Sequence, residues 1–115
     1  MDVPPRPLTD REATLVRWLL TCGGPIGARF LPEVDDLRVV GLCGCGCASV
    51  DFVRGGDGGM RPFARHQWDG PDGEPCGVFL YTIEDRLAGL EVHSCDGPAG
   101  LPNPSKLRPG PTLDG

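Results

Sequence analysis

Residues 77–94, GVFLYTIEDRLAGLEVHS, form the stretch that decides the fold. The run GVFLYTI is rich in β-branched and aromatic residues, which are typical of strands. Glu84-Asp85-Arg86 interrupts this run and predicts a turn, after which LAGLEVHS returns as a second strand. Because residues 78–83 are apolar almost without alternation, we expect a central strand that is covered on both faces of its sheet.

Upstream, residues 37–54, LRVVGLCGCGCASVDFVR, predict a second hairpin. This run is far longer than the usual strand of about five or six residues. Gly44-Cys45-Gly46 is expected to form the loop, because glycine suits the left-handed position of a three-residue loop. In that register Cys43 faces Cys47 and Leu42 faces Ala48. The residues at 63–68 alternate weakly and predict a short edge strand.

The N-terminal part of the chain predicts one well-defined helix over residues 10–22. Thr9 is placed to cap it, and Glu12, three residues later, completes a capping box. Apolar residues then recur with helical spacing until Gly23-Gly24-Pro25 ends the pattern. Pro25 can also begin a second, short helix.

Helices followed by hairpins indicate an α+β fold, with one or two N-terminal helices packed on a four- or five-stranded antiparallel sheet. We assign residues 1–97 to this single domain. Residues 98–115 are rich in proline and glycine and are expected to form an extended C-terminal tail. Leu101 and Leu107 are the residues expected to tether that tail to the body.

Charge and composition exclude several classes of function. The 115-residue chain carries a net charge of −5, which disfavours non-specific binding to nucleic acid. No apolar run approaches the roughly 18 residues that a membrane span requires. No secretory signal is recognisable, so we expect a cytoplasmic protein, in which structural disulfides are rare. Its 6 cysteines are then buried thiols, metal ligands or reactive groups.

Three segments, VVGLCGCGCASVDF, LYTIEDRLAGLEVHSCDG and LPNPSKLRP, together resemble a group of short, uncharacterised actinobacterial proteins. Those proteins share a helical N-terminus, a CGCG-type strand pair and a DGRL-x-GLEV-type hairpin. The resemblance covers about residues 8–108 and implies no particular activity. The turn Glu84-Asp85-Arg86-Leu87 lacks the glycine that the hairpin of that group carries.

The sequence CGCGC at residues 43–47 is the clearest chemical feature of the chain. Thiolates bind zinc or copper(I) well, and a structural zinc site needs four nitrogen or sulfur ligands. Candidate metal ligands are Cys43, Cys45, Cys47, His93 and Cys95. The C-x-C-x-C spacing is unusual for zinc, so we favour the competing interpretation that these cysteines pack as small apolar side chains at a tight bend.

A second candidate site lies at Arg65-His66-Trp68, since tryptophan and arginine are enriched where proteins bind one another. The competing and favoured interpretation is that Trp68 covers the edge of the core. With two histidines and no group to orient them, catalysis is the least favoured function. We therefore expect a small non-enzymatic protein that binds a protein partner. The alternative is a soft-metal protein that uses Cys43, Cys45 and Cys47.

Overall fold

The computed structural model describes residues 1–44, 46–54, 59–94 and 99–110, which hold two helices and seven strands. In chain order these elements are β1 (Asp2–Pro7), α1 (Asp10–Cys22), α2 (Gly24–Phe30), β2 (Arg38–Leu42), β3 (Val50–Asp51), β4 (Arg61–Asp69), β5 (Pro75–Ile83), β6 (Arg86–Ser94) and β7 (Arg108–Pro109). Short 3-10 helices span Leu31–Asp36 and Pro104–Lys106. The strands form one antiparallel sheet in the order β1-β2-β3-β6-β5-β4-β7. The predicted α+β class is confirmed.

Helix α1 begins and ends where its sequence signals predict. The Thr9 hydroxyl accepts from the backbone N–H of Glu12, while the Glu12 carboxylate accepts from the Thr9 N–H at 2.8 Å. A cap of this kind stabilises a helix by about 1 kcal/mol. Helix α2 has Pro25 in its first turn, as expected for a residue without an amide hydrogen. Within the described residues, neither helix is long and apolar enough to cross a membrane.

The predicted hairpin at 77–94 is confirmed, with a shorter turn than expected. Ile83 pairs with Arg86, so Glu84 and Asp85 alone connect β5 to β6. Both turn residues are left-handed, with φ of 54° and 62°. Such a two-residue turn matches the twist of the flanking strands, although glycine and asparagine adopt it at lower cost.

The two faces of the sheet bury separate apolar clusters. On the inner face the helices cover a core that includes Leu15, Leu19, Leu20, Leu80, Leu90 and Val92. Each fully buried leucine stabilises the fold by about 1.5–3 kcal/mol. On the outer face Phe79, Tyr81 and Ala88 form a smaller cluster. Strand β5 is therefore buried on both faces, as its unbroken apolar run predicts.

The sheet has seven described strands, not four or five, because proline-containing segments extend both of its edges. Strand β1 pairs with β2 at one edge, and β7 pairs with β4 at the other. Residues 63–68 therefore lie within β4 and are not an edge strand, since β7 lies outside them. Proline lacks the amide hydrogen that a central strand needs, but an edge strand tolerates it.

The first hairpin forms with a register two residues away from the predicted one. Leu42 pairs with Val50, not with Ala48, so the connection spans residues 43–49. Two contacts, one to the segment that begins at Ala99 and one to β6, hold the end of this loop outside the pairing of β2 with β3. The Ala48 N–H donates to the Ala99 carbonyl at 2.8 Å, and the Ser49 hydroxyl bonds both backbone groups of Val92.

Residues 99–110 follow the surface of the domain and do not extend from it as the predicted tail. Ala99 is buried in the main core, and Leu101 and Leu107 pack against that core as expected. Gln67 pairs with Arg108, and the Gly110 N–H donates to the Arg65 carbonyl. Residue 98 and residues 111–115 of the predicted tail lie outside the described residues, while residues 99–110 supply a 3-10 helix and an edge strand, a position that tolerates proline.

Candidate functional site

The cysteine-rich loop joins β2 to β3 at one end of the sheet. Cys43 and Cys47 are both half-buried, and the Gly46 N–H faces the Cys43 carbonyl at 3.4 Å across a tight bend. Gly46 has a φ of 92°, which explains why glycine stands there. The chain reverses direction in this loop, as predicted. The loop is longer than the predicted three residues, however, because the pairing of β2 with β3 begins at Leu42 and Val50.

The candidate metal ligands are only partly within the described residues. Cys43, Cys47 and His93 are described, while Cys45 and Cys95 lie outside. Within residues 1–44, 46–54, 59–94 and 99–110, no three side chains of histidine, cysteine, aspartate or glutamate are arranged to hold a metal ion. The bonds of Ser49 to Val92 place the end of the loop beside the strand that carries His93. The imidazole of His93 is exposed and lies over Gly77, where a Cβ would come within 2.4 Å of its Nε2.

The three residues proposed as a partner surface do not share one surface. Trp68 belongs to the inner core, and buried His66 packs edge-to-face on Trp18 with ring centroids 4.8 Å apart. Arg65 lies on the outer face, with its guanidinium 4.9 Å from the centre of the Phe79 ring. A bulge in β4 separates them, since Ala64 takes a left-handed φ of 57° there. The competing interpretation, that Trp68 covers the core, agrees with this burial.

A groove of about 680 Å³ lies at the end of the sheet where β4 turns into β5. One wall is that turn, and the other is the segment that follows Ala99. The groove is lined by Arg11, Trp68, Asp69, Gly70, Pro71, Glu74, Cys76, Ser94, Ala99, Gly100, Leu101, Pro102, Asn103 and Lys106. A second hollow of about 260 Å³ shares Arg11, Pro102 and Asn103 with it, so the two hollows adjoin.

Apolar side chains form the floor of the groove, and charged side chains form its rim. Trp68, Cys76 and Ala99 are each at most 7% exposed and supply the floor. Arg11 and Lys106 bring positive charge, while Asp69 and Glu74 bring negative charge. The groove therefore combines a small buried apolar floor with a lining that is polar and charged over most of its surface.

The outer face carries a second group of polar side chains. Gly41, Asp51, Gly89 and Tyr81 form one row across four strands. Tyr81 leans over Gly89 and donates a hydrogen bond of 2.7 Å to the Asp51 carboxylate. Burial is the largest cause that raises the pKa of Tyr81, and the bond to Asp51 adds to it. This bond holds β3 against β5 across β6.

Glu91 lies in the next row of the outer face, opposite Phe79. Burial raises the pKa of Glu91, as does the charge of Asp51, while His93 and Ser49 act in the opposite direction. Carboxyl groups with perturbed pKa values are frequent at functional sites, but buried networks with a purely structural role also shift pKa values. The row has no cavity of its own among the described hollows, so it fits a structural role better.

Sequence reasoning missed the groove because it treated residues 98–115 as a tail. The groove combines Arg11, the turn at 69–75 and residues 99–106, which are far apart in the chain. A local signal was present nevertheless. Asn103-Pro104 is a cap followed by proline, and the Asn103 side chain does accept from the Ser105 N–H at 3.0 Å. Neither a protein-family model, nor a curated protein, nor a solved structure matches this chain.

Proposed function

We propose that this protein is a small non-enzymatic binding protein whose groove takes an extended segment of a protein partner. The observation that supports this most is the pair of adjoining hollows, which share Arg11, Pro102 and Asn103 in their linings. An extended peptide advances about 3.3 Å per residue and follows such a depression well. A buried floor beneath a polar rim is also what peptide grooves provide.

The sheet edges favour the groove over the commonest alternative mode of peptide binding. A peptide can bind by adding a strand to an exposed edge. Here β1 includes Pro4, Pro5 and Pro7, and β7 includes Pro109. Proline at both edges disfavours such pairing. Cytoplasmic location belongs to the same proposal, since Cys22, Cys43 and Cys76 carry thiols without a disulfide.

A matched pair of glycine substitutions tests the groove. Gly100 lines it, Gly59 does not, and a Cβ at either position would meet no atom within 4 Å. Gly100→Trp therefore adds a large side chain to the lining of the groove with no clash at its Cβ, and Gly59→Trp is its control. The probe is a phage-displayed random library of about ten residues per peptide, a length of about 33 Å when extended.

The proposal expects enriched peptides that bind the wild type and Gly59→Trp alike, and Gly100→Trp at least about tenfold more weakly, a loss of about 1.4 kcal/mol. Far-UV circular dichroism of both variants checks that they fold. Enriched peptides that still bind Gly100→Trp would contradict the proposal, and so would the absence of any enrichment.

As the alternative, we propose a soft-metal site at the cysteine loop, with zinc or copper(I) held by Cys43, Cys45 and Cys47 and by His93 or Cys95. The anchoring of Ser49 on Val92 supports it, because this brings the loop near the strand of His93. Metal analysis of protein purified without a histidine tag tests it. A stoichiometric metal that is lost in Cys43→Ser and kept in Cys22→Ser is expected, and metal-free wild type contradicts it.

A further inference from the structure

We propose that Cys43 and Cys47 form a reversible disulfide, which makes the loop between β2 and β3 a redox-sensitive site. Such a site depends neither on the groove nor on a bound metal. Three features of the loop support it: the turn that separates the two cysteines, the contacts that fix the chain on both sides of that turn, and the exposure of the two thiols.

The turn between the two cysteines has the features of a three-residue hairpin loop. The Cys43 carbonyl accepts from the Gly46 N–H, three residues further along the chain, and Gly46 is left-handed with a φ of 92°. Three-residue loops commonly combine a turn of this kind with a left-handed third residue. Here that third residue is Gly46, so Cys43 and Cys47 flank the loop and face each other.

The separation expected of two such residues suits a disulfide. Residues that face each other across an antiparallel pair have Cα atoms about 4.5–5.5 Å apart. A disulfide joins residues whose Cα atoms are about 4.4–6.8 Å apart. Cys43 and Cys47 can therefore be joined without opening the turn.

The body of the protein fixes the chain on both sides of the turn. Before the first cysteine, Leu42 exchanges two backbone hydrogen bonds with Met1, at 2.8 and 2.9 Å. Directly after the second cysteine, the Ala48 N–H donates to the Ala99 carbonyl at 2.8 Å. Because each cysteine is next to a residue that is already held in place, forming the bond orders little additional chain.

The two thiols are open to reagents in solution. Cys43 and Cys47 are both free and half-buried, whereas Cys76 is free but buried. Exposed disulfides are generally the labile ones, which form and break as the redox state of the compartment changes. In the reducing cytoplasm proposed for this protein, the resting state is then the dithiol, and the disulfide forms when glutathione disulfide accumulates.

Closure is a thiol–disulfide exchange in two steps, with glutathione disulfide as the oxidant. One of the two cysteines, as its thiolate, attacks a sulfur of glutathione disulfide, which forms a mixed disulfide and releases one glutathione thiolate. The thiolate of the other cysteine then attacks the protein sulfur of that mixed disulfide and releases the second glutathione. Each step breaks one S–S bond and forms one, so two protein thiols are oxidised while glutathione disulfide is reduced to two thiols.

Tandem mass spectrometry of the tryptic peptide 39–54 tests the proposal, because this peptide contains the three cysteines of the loop and no other. The full-length protein is first treated with a chelator, so that any bound metal leaves the thiols. It is then equilibrated with glutathione disulfide and glutathione at graded ratios, alkylated and digested. Cys45→Ser and Cys47→Ser form the matched pair of variants, and Cys22→Ser is the control outside the loop.

We expect the wild-type peptide to lose two hydrogen atoms, to carry one alkyl group on Cys45 and to give no fragment ions between residues 43 and 47. Dithiothreitol should restore three alkylated cysteines. Cys45→Ser and Cys22→Ser should close at the same glutathione ratio as the wild type, whereas Cys47→Ser should not close at that ratio. Far-UV circular dichroism checks that each variant folds.

Three results would overturn the proposal. The first is a wild-type peptide whose cysteines all remain alkylated or joined to glutathione in excess glutathione disulfide. The second is a wild-type disulfide that joins Cys45 to either neighbour. The third is closure of Cys47→Ser at the ratio that closes the wild type.

Discussion

Glu12 is a buried carboxylate with a residual exposure of 5%, and its neighbours decide its charge. Arg6 of β1 donates two hydrogen bonds to it, at 2.9 and 3.0 Å, and Thr9 donates a third from its backbone. Burial acts to raise the pKa of Glu12, but the bonds from Arg6 and Thr9 and the charge of Arg6 together leave that pKa below its usual value. One side chain therefore caps α1 and fastens the edge strand to it.

Glu12→Gln should lower the free energy of unfolding by about 2 kcal/mol near neutral pH, because a charge-assisted bond to Arg6 is lost. A carboxyl whose folded pKa is lowered contributes stability above its unfolded pKa of about 4.3 and loses it as pH falls through the folded pKa. The difference between wild type and variant in urea unfolding should therefore shrink as the pH is lowered below about 4.3 and vanish below the folded pKa of Glu12. Exposed Glu33→Gln is the control. An unchanged difference at low pH would contradict the role assigned to Glu12.

Tyr81 is the single tyrosine of the chain, so its ionisation can be followed directly by ultraviolet absorbance. Burial and the bond to Asp51 raise its pKa, and the phenolate should appear well above the ordinary value of about 10. Because its folded pKa is raised, Tyr81 contributes its full stabilisation of the fold below its unfolded pKa of about 10. That contribution is lost as the pH rises through the folded pKa. Asp51→Asn should lower the midpoint of the titration. A native midpoint at the ordinary value would show that Tyr81 does not donate to a carboxylate.

The turn between β5 and β6 forms at a cost in conformational free energy of the backbone. Glu84 and Asp85 hold left-handed conformations that cost an ordinary side chain about 1 kcal/mol or more. Glu84→Asn with Asp85→Gly should raise the melting temperature by about 4 °C or more in a domain of this size. Gly73→Ala, at a φ of 79° in open space, is the opposite control and should lower it. An unchanged melting temperature in the double variant would mean that the turn is unstrained.

Elements with local signals were predictable from the sequence. The capping box fixed the start of α1, the glycines after Cys22 fixed its end, and the β-prone run defined β5 and β6. The register of β2 on β3 was not predictable, because it depends on Ser49 bonding Val92, 43 residues away. Local patterning carries no information on such a contact.

At the scale of the whole molecule, both proline-containing ends of the described chain become part of the sheet. Sequence patterns predicted a tail at the C-terminal end and no strand at the N-terminal end, because proline lowers strand propensity. The candidate groove escaped prediction for the same reason, since one of its walls is residues 99–106. Lys106, for example, lines the groove only because residues 99–106 lie beside α1 and the turn at 69–75.

The most direct measurement of the binding proposal is amide chemical-shift mapping by NMR, with a peptide selected from the random library on the wild-type protein. Binding in the groove predicts the largest shifts at residues 69–76 and 99–106 and around Arg11, and the same peptide at the same concentration should produce much smaller shifts in Gly100→Trp. Shifts concentrated instead on the outer face around Asp51 and Tyr81, or on the loop at 43–49, would contradict the assignment of the groove as the binding site.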